Sequence, residues 1–366
     1  MRIIAVGDIM PGGVLNKTSV DYLSPEVLNL LKDADLRVGT LETAIGNEPT
    51  FNEQKMRRKA DVIYVRDEDL LRLKTLNINI VSLANNHFTD LGDTGSRHAI
   101  ELLDELGILH CGAGENIEEA SRPVVINSNG KTYAFLAFCD WRDETVGWCP
   151  IATKNDAGVN PMYDDYVVKE IKKNKQIYDY VIVIAHWGKE YRIAPTPDVY
   201  KLSKKMVNAG ADLILGGHTH CIQPIWKYKS VPIIFSLGNF FFPDRLLTYP
   251  RSTYYPDEPT DLEKLPKTEG YPRYVERVTY KIWKPIARYG LVAQIGFSND
   301  VTYVNSFFSH LTYKNYLELA RKEPYNKKRM KILKIALNSG LYEGFYFLGQ
   351  FFNSFRNQLF KLYHIK

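Results

Sequence analysis

The first 240 residues alternate between short apolar runs and stretches with helical periodicity. The apolar runs are almost continuous in Val, Ile and Leu, which is typical of strands that are covered on both faces of a sheet. Strands that alternate with helices predict an α/β domain. The predicted strands are Ile3–Val6, Leu36–Leu41, Ile78–Leu83, Val181–Ala185, Leu213–Leu215 and Ile233–Leu237.

Amphipathic stretches lie between these strands and begin at residues that favour helix starts. Ser24 and Pro25 form an N-cap and first-turn pair ahead of the first stretch. Asp67 and Thr94 are the predicted N-caps of the next two stretches, and Pro197 opens a fourth.

The remainder of the chain is less regular. Helical patterns return towards the C-terminus, so we predict a large α/β domain over residues 1–310 and a basic helical region over residues 311–366. The other predicted features are polar loops at 47–60 and 141–163, a proline-rich excursion at 243–272 and a β-rich stretch at 273–306.

Composition narrows the class of protein without naming it. The chain is 45% apolar and 24% charged, as ordinary globular proteins are. It has no signal-peptide core and no run of 18 apolar residues, so we expect a cytoplasmic location. No CxxC spacing occurs, and the cysteines are predicted to be reduced and mostly buried: Cys111, Cys139, Cys149 and Cys221.

The net charge of +5 is concentrated at the C-terminus, where residues 311–366 hold 11 Lys/Arg against 3 Glu. The same region carries apolar residues at helical spacing. This helix could dock on the protein body or on a second subunit, or residues 341–366 could contact a membrane surface peripherally. No nucleic-acid-binding module is recognised, and the oligomeric state stays open. The apolar positions are Leu341, Phe345, Leu348, Phe352, Phe355, Leu359 and Tyr363.

Side chains of the metal-ligand type follow five of the apolar runs. In open α/β sheets ligands bind at the carboxyl ends of the strands, so we expect these residues to meet. A single strand-end Asp can also cap a turn, and a single His can bond a backbone carbonyl; the joint pattern favours a metal site. The residues are Asp8, Glu42, Asn86, His87, Asp90, His186, His218 and His220.

Oxygen and imidazole ligands together suit Mn, Fe or Zn. A carboxylate can bridge two such ions about 3.5–4 Å apart, and the pair can hold a phosphate. A separate histidine can then protonate the leaving oxygen. We therefore expect one or two divalent metal ions per chain.

Around these residues the sequence resembles the CapA, or PGA_cap, family, within the calcineurin-like metallophosphoesterase superfamily. The resemblance covers about residues 1–245 and implies a four-layer αββα sandwich, here with a C-terminal helical appendage. It also implies a metal-dependent hydrolase of the phosphoesterase type in capsule or cell-envelope polymer synthesis. The alternative is a non-hydrolytic accessory protein of poly-γ-glutamate synthesis or export. The matching segments are GDIMPGG, TLETAI, SLANNHFTDLGDTG, AHWGKEY, GGHTHCIQP and FSLGNFFF.

The resemblance implies a role for each of these residues. Asp8 and His220 resemble ligands of a first metal, Glu42 the bridging carboxylate, and Asn86, His186 and His218 ligands of a second metal. His87 occupies the position of the general acid, with Asp90 orienting its ring. The superfamily usually has a histidine where this chain has Met10, and usually an aspartate at the bridging position.

Further residues are candidates for binding an anionic substrate, either a phosphoester or a polyglutamate-like chain. Arg57, Arg58 and Lys59 lie in the loop after the second strand, where they could hold phosphate or carboxylate groups; a solvated basic loop is the alternative. Glu190 follows the His186 strand end and could line the cleft, and Asn239 could contact substrate or support the ligands.

Overall fold

The structure is a computed structural model that describes residues 1–15, 22–47, 61–140, 149–249, 251–258, 260–270, 272, 275–298 and 301–350. The helices are α1 (Pro25–Lys32), α2 (Leu71–Thr75), α3 (Gly92–Glu105), α4 (Ile117–Ala120), α5 (Asp164–Lys175), α6 (Pro197–Ala209) and α7 (Lys327–Asn338). Short 3-10 helices span Asp67–Leu70, Leu262–Lys264 and Pro285–Arg288.

The strands are short, and most belong to two large sheets. In chain order they are β1 (Arg2–Ile9), β2 (Leu36–Leu41), β3 (Ala44–Ile45), β4 (Tyr64–Val65), β5 (Ile80–Ser82), β6 (Leu109–Cys111), β7 (Ala113–Gly114), β8 (Val124–Ser128), β9 (Lys131–Cys139), β10 (Gly158–Val159), β11 (Tyr180–His186), β12 (Leu213–Gly217), β13 (Ile225–Tyr228), β14 (Val231–Ile234), β15 (Asn239–Phe241), β16 (Arg245–Thr248), β17 (Ser252–Tyr254), β18 (Lys267–Glu269), β19 (Thr279–Ile282), β20 (Tyr289–Ser298), β21 (Val301–Leu311) and β22 (Leu317–Leu319).

The first large sheet has the order β22-β21-β20-β1-β2-β5-β6, and β15 pairs with the end of β1. Strands β1, β2, β5 and β6 are parallel, whereas β20, β21 and β22 run antiparallel to their neighbours. The second large sheet has the order β13-β14-β12-β11-β9-β8, with parallel strands in its centre. This mixed α/β architecture confirms the predicted fold class at that level.

Side-chain alternation along β11 shows how the sheets are covered. Ile182 belongs to the same buried cluster as Ile4 of β1, so this face packs towards the first sheet. Val183, the next residue, belongs to a second cluster with Ile171 of α5 and Met206 of α6. Successive strand residues point to opposite faces, so the second sheet is covered by the first sheet on one side and by helices on the other.

The sequence analysis predicted the type of the secondary-structure elements more accurately than their boundaries. Each predicted strand overlaps an observed strand. The predicted Ile233–Leu237 is observed as β14, which begins two residues earlier and ends three residues earlier. Thr94 is not an N-cap, because α3 begins at Gly92 and Leu91 caps it. Asp67 begins a short 3-10 helix that continues into α2.

Two stretches contain more structure than was predicted. The β8–β9 hairpin was not predicted at all. The proline-rich excursion contributes β16, β17 and β18 to a four-stranded sheet of order β17-β16-β19-β18. Of the predicted loops at 47–60 and 141–163, residues 48–60 and 141–148 lie outside the described residues. The described part of the second loop contains β10.

The C-terminal region packs on the body of the protein. Leu337 of α7 and the following Tyr342 are buried with the α5–α6 cluster. Of the apolar positions predicted for the helix of residues 341–366, Leu341, Phe345 and Leu348 are exposed. The other four positions lie outside the described residues, so the choice between docking and membrane contact stays a prediction. The division at residue 310 stays a prediction, and β22 beyond it still pairs with β21. The four cysteines are buried, and none of them forms a disulfide, as predicted. Across the described residues, no helix combines the length and apolar character needed to cross a membrane.

Candidate metal centre

The predicted ligands come from the carboxyl ends of strands in both large sheets, and the structure brings them together. Each of these side chains is at most 3% exposed. The first sheet contributes three of them and the second sheet contributes the three histidines. Asp8 lies in β1, Glu42 follows β2, Asn86 follows β5, His186 ends β11, and His218 and His220 follow β12.

Glycines allow the strand ends to come this close. A Cβ atom on Gly7 would lie 1.7 Å from the carbonyl oxygen of Gly238, and one on Gly217 would lie 2.5 Å from Asp8 Oδ1. His218 and His220 themselves have positive φ angles of 79° and 51°. Non-glycine residues seldom adopt this left-handed conformation, so the surrounding packing holds the backbone at both histidines in a strained conformation.

The acidic and imidazole residues form two groups that share one carboxylate. Glu42, His186 and His218 form one group, and Asp8, Glu42 and His220 form the other, with ligand-type atoms within 4.8 Å of one another in each. The His186 Nε2 atom lies 3.5 Å from Glu42 Oε1, and His220 Nδ1 lies 3.8 Å from Glu42 Oε2. Glu42 therefore presents one oxygen to each group, as a bridging carboxylate would.

An asparagine amide oxygen lies beside a histidine in each group. Asn86 Oδ1 is 2.8 Å from His186 Nε2, and Asn239 Oδ1 is 2.9 Å from His220 Nδ1. The amide nitrogen of Asn239 donates to the carbonyl oxygen of Ala287, which fixes the direction of the amide. Asn239 thus lies within the cluster, opposite Asp8 in the β1–β15 pairing.

The residues fit a divalent cation on one observation in particular. Asp8 Oδ1 and both carboxylate oxygens of Glu42 are buried, and no donor among the described residues forms a hydrogen bond with them. A buried acceptor without a donor is costly, and a bound cation would satisfy all three oxygens. Mixed oxygen and imidazole donors suit Mn, Fe or Zn better than thiolate-preferring metals.

Burial sets the protonation of these groups. It raises the pKa of Asp8 well above its usual range, and the nearby charge of Glu42 raises it further. Burial also raises the pKa of Glu42, followed by the charge of Glu190. Burial lowers the pKa of His186 to about 3 and that of His220 well below its usual value. The imidazoles of His186 and His220 are therefore neutral at pH 7, the state in which histidine binds metals.

The predicted general acid and its partner are in contact beside this cluster. His87 Nδ1 lies 2.7 Å from Asp90 Oδ2, and the backbone N–H of Ile63 donates to the same carboxylate oxygen at 2.7 Å. The backbone N–H of His87 donates to Asn85 Oδ1. The imidazole ring is consequently held at its Nδ1 side.

The other residues predicted to contact substrate are Glu190 and three basic residues. Glu190 is partly exposed, and its charge acts on Glu42. Arg57, Arg58 and Lys59 lie outside the described residues.

Two basic residues near the cluster were missed by sequence analysis. Arg245 begins β16 and Lys281 lies in β19, and both are buried. Their positive charges lower the pKa of Glu42, against the larger raising effects. The only sequence signal was a basic residue just after the FSLGNFFF segment, which by itself does not distinguish a site residue from a surface one.

Comparison with known proteins now gives this architecture a family. The family model described as "Bacterial capsule synthesis protein PGA_cap" matches residues 2–244. That segment contains the whole cluster of Asp8, Glu42, Asn86 and the histidines. The chain therefore belongs to the PGA_cap family, as the resemblance implied.

Individual relatives agree with this assignment. The chain is 36% identical over 250 residues to the capsule biosynthesis protein CapA of Bacillus anthracis, covering 66% of this chain and 60% of that protein. It is 30% identical over 242 residues to the PGA biosynthesis protein CapA of Bacillus subtilis, covering 65% and 62%. A probable polyglutamine synthesis accessory protein of Mycobacterium tuberculosis is 26% identical over 232 residues, or 60% of each chain. The similarity thus spans about three fifths of the length of these relatives.

Proposed function

We propose that this protein is a metal-dependent hydrolase of the phosphoesterase type, acting in the synthesis of a capsule or cell-envelope polymer. The observation that carries the proposal is the meeting of six ligand-type side chains from two sheets around buried carboxylate oxygens. In the part of the chain that the structure describes, no donor satisfies these oxygens. The family membership supports the pathway, because the relatives are named for capsule and PGA biosynthesis.

The layer arrangement supports the same proposal. Two sheets share one buried cluster, and helices α5 and α6 cover the outer face of the second sheet. This arrangement is compatible with a four-layer αββα sandwich of the metallophosphoesterase type, to which α7 is added as a C-terminal appendage. The site would then lie at the carboxyl ends of the central strands.

The residues divide into holding and proton-donating groups. Asp8, Glu42, Asn86 and the three histidines would hold one or two divalent ions, with Glu42 between them. Such ions supply Lewis-acid polarisation of a phosphoryl oxygen and lower the pKa of water. His87 would donate a proton to the leaving oxygen, and Asp90 would hold the ring in position.

The test combines metal content with turnover of a simple substrate. The purified chain is assayed for bound metal and for hydrolysis of aryl phosphate mono- and diesters with added Mn²⁺. The variant Asn86→Ala with His218→Asn removes two ligands, and asparagine tolerates the left-handed conformation of position 218. The matched control is His310→Asn, since His310 lies in β21 and contacts Glu318 instead.

We expect one or two metal ions per chain in the wild type and in His310→Asn, with turnover in both. The double variant is expected to lose metal and to fall to background turnover, while it unfolds at a temperature similar to that of the metal-free wild type. Metal-free wild-type protein without turnover would contradict the proposal, as would full activity in the double variant.

A second candidate function is that of a non-hydrolytic accessory protein of poly-γ-glutamate synthesis or export. The name of the Mycobacterium tuberculosis relative, which describes a synthesis accessory protein, favours it. The same cluster would then bind a polyanion or support partner subunits. This alternative predicts binding of a glutamate polymer without turnover of any phosphoester.

A further inference from the structure

Asn239 has a fixed place in the candidate metal centre, at the level of Asp8. Strand β15 pairs in parallel with β1 and sets these two residues opposite each other. The backbone N–H of Asp8 donates to the carbonyl oxygen of Gly238 at 2.9 Å. A Cβ atom on Gly290, at the start of β20, would lie 2.1 Å from the carbonyl oxygen of Asn239. The backbone at Asn239 is therefore held closely by both β1 and β20.

The amide group of Asn239 has one orientation that satisfies its neighbours. Its Nδ2 atom donates to the carbonyl oxygen of Ala287 at 3.0 Å. A carbonyl oxygen accepts hydrogen bonds and cannot donate them, so the amide nitrogen must face Ala287. The amide oxygen Oδ1 is then directed at His220, whose Nδ1 atom lies 2.9 Å away.

A buried ion pair holds the carbonyl group that sets this orientation. Ala287 lies in the 3-10 helix Pro285–Arg288. At the end of that helix, Arg288 Nη2 donates to both carboxylate oxygens of Asp244 at 2.8 Å, and each of these two residues is at most 1% exposed. Because breaking a buried ion pair is costly, the helix is fixed in place. The amide of Asn239 consequently has little freedom to turn away from the cluster.

His220 offers the same ring nitrogen to Asn239 and to the carboxylates of its group. Nδ1 lies 3.7 Å from Asp8 Oδ2 and 3.8 Å from Glu42 Oε2, in addition to its contact with the amide oxygen. Two ligand atoms of one ion are about 3.0–3.5 Å apart when each is roughly 2.1 Å from it, at right or tetrahedral angles. The separations from Nδ1 are close to that spacing, as expected for donors that surround one ion.

A hydrogen bond explains the contact between Asn239 and His220 only while Nδ1 carries a proton. A histidine nitrogen binds a metal ion through its lone pair, so a ligand nitrogen carries no proton. Nδ1 and Oδ1 are then two acceptors 2.9 Å apart, and neither has a donor in the other. A cation shared by both atoms removes that cost. The contact therefore points to a joint role in metal binding.

The other group of candidate ligands contains the same arrangement. Asn86 Oδ1 lies 2.8 Å from His186 Nε2, a contact that matches the one between Asn239 and His220. Glu42 presents one oxygen to each of these histidines. Each group has three acidic or imidazole donors and, with its asparagine, four protein donors.

We propose that Asn239 is a metal ligand, the fourth protein donor of the group that contains Asp8 and His220. This inference rests on the proposed function only in that the cluster binds divalent metal, and it does not require hydrolysis. It assigns a complete donor set to each group, so the chain should bind two ions. The ion beside Asp8 is the one that depends on Asn239.

Metal binding by the full chain tests this role without a substrate. Mn²⁺ is titrated calorimetrically into the metal-free wild type, Asn239→Leu and Asn239→Asp. Leucine has nearly the shape of asparagine but offers no donor atom, whereas aspartate keeps the oxygen and adds a charge. The matched control is Asn174→Leu, because Asn174 is a buried asparagine of α5 whose amide donates to the carbonyl oxygen of Glu170, outside the cluster.

We expect the wild type and Asn174→Leu to bind two Mn²⁺ ions. Asn239→Leu should bind one ion as the wild type does and the other roughly 100-fold or more weakly, because removal of a residue that only supports a ligand costs about 10–100-fold. Asn239→Asp should bind the second ion more tightly than the wild type, since affinity rises with the charge of the ligands.

A crystal structure of the Mn²⁺-loaded wild type measures the contact directly and does not depend on the folding of a variant. We expect two ions, with Asn239 Oδ1 about 2.0–2.2 Å from the ion beside Asp8. An ion beside Asp8 that lies more than about 3 Å from Oδ1, with Oδ1 bonded to the His220 ring instead, overturns the inference.

The outcomes separate this inference from the hydrolase proposal. Two bound ions with Asn239 Oδ1 on one of them support it, even where no phosphoester is hydrolysed. Turnover by the wild type together with unchanged Mn²⁺ binding in Asn239→Leu overturns it and leaves the hydrolase proposal standing. A wild type that binds no ion, or only the ion of the group with His186, overturns it as well.

Discussion

Asp90 is the residue on which the orientation of His87 depends. One carboxylate oxygen contacts both His87 Nδ1 and the backbone N–H of Ile63. A carboxylate at Nδ1 fixes the tautomer of the ring and stabilises its protonated form. Asp90 thus acts through His87 as a positioning residue, and a loss of its charge should affect proton donation more than metal binding.

Replacing Asp90 with Asn tests this arrangement. Under the proposed function, we expect Asp90→Asn to lower kcat for an aryl phosphate by about 10–100-fold, because the imidazolium loses its carboxylate partner. Metal content and KM should stay near wild-type values. The control is Asp93→Asn, an exposed acidic position three residues further along. Equal losses of metal and of turnover would instead assign Asp90 to the metal cluster.

The sequence predicted the candidate metal ligands but not the basic residues beside them, and this difference has a physical reason. Asp8, Glu42 and His186 follow apolar strands directly, and parallel strands bring their carboxyl ends to one edge. That rule needs only local spacing. Arg245 and Lys281 meet through the register of β16 with β19, which depends on a long irregular connection. No periodicity in the sequence specifies that register.

Among the elements, α7 presents two different faces. Leu333 and Leu337 are buried against the body, whereas Ile332 and Ile335 are 51% and 59% exposed. Residues 342–350 are helical as well, and they add further exposed apolar side chains. Lys328 and the other basic residues of α7 are exposed beside this apolar surface. Exposed apolar and basic residues on one helix are typical of contact with an anionic lipid surface.

Vesicle binding tests this second face of α7. We expect the full chain to sediment with vesicles that contain anionic phosphatidylglycerol and not with vesicles of neutral phosphatidylcholine. Ile332→Ser with Ile335→Ser should reduce binding several-fold without lowering the unfolding temperature, because both side chains are exposed. Ile177→Ser is the matched control, since Ile177 is 63% exposed but follows α5 and is not part of α7. Unchanged binding in the double variant would leave this face without a role at lipid surfaces.

The β8–β9 hairpin shows what the sequence contained but the pattern analysis overlooked. Asn129 and Gly130 form its turn, and both have positive φ angles. An Asn-Gly pair between two apolar runs is a strong signal for a hairpin turn of this kind. Thr94 is the opposite case, because this favourable capping residue lies inside α3, which begins at Gly92 without a side-chain cap.

For the whole molecule, the candidate metal centre lies between the two large sheets. Asp8 and Glu42 come from the first sheet, and His186 and His218 come from the second. A cation bound by both would join the sheets at this edge. The pairing of the sheets could not be predicted from the sequence, since the alternating faces of strands such as β11 are both apolar.

Metal binding should therefore stabilise the folded chain as a whole. We expect Mn²⁺ at 100 times its Kd to raise the free energy of unfolding by about 2.7 kcal/mol, measured by urea denaturation. His218→Asn should reduce this stabilisation, whereas His310→Asn should retain it. Equal stability of the wild type with and without Mn²⁺ would show that the cluster does not hold the ion in the folded state.

The contact between Asp8 and His218 also has a consequence for how the protein is made. The backbone N–H of His218 donates to Asp8 Oδ2 across 210 positions of the chain. A ribosome adds about 5–20 residues per second, so Asp8 waits on the order of 10–40 s before its partner exists. Strand β20, which pairs with the edge of β1, is synthesised later still. During translation the N-terminal strands consequently remain open to wrong pairing, and a nascent chain that stops before residue 218 cannot complete the cluster of candidate ligands.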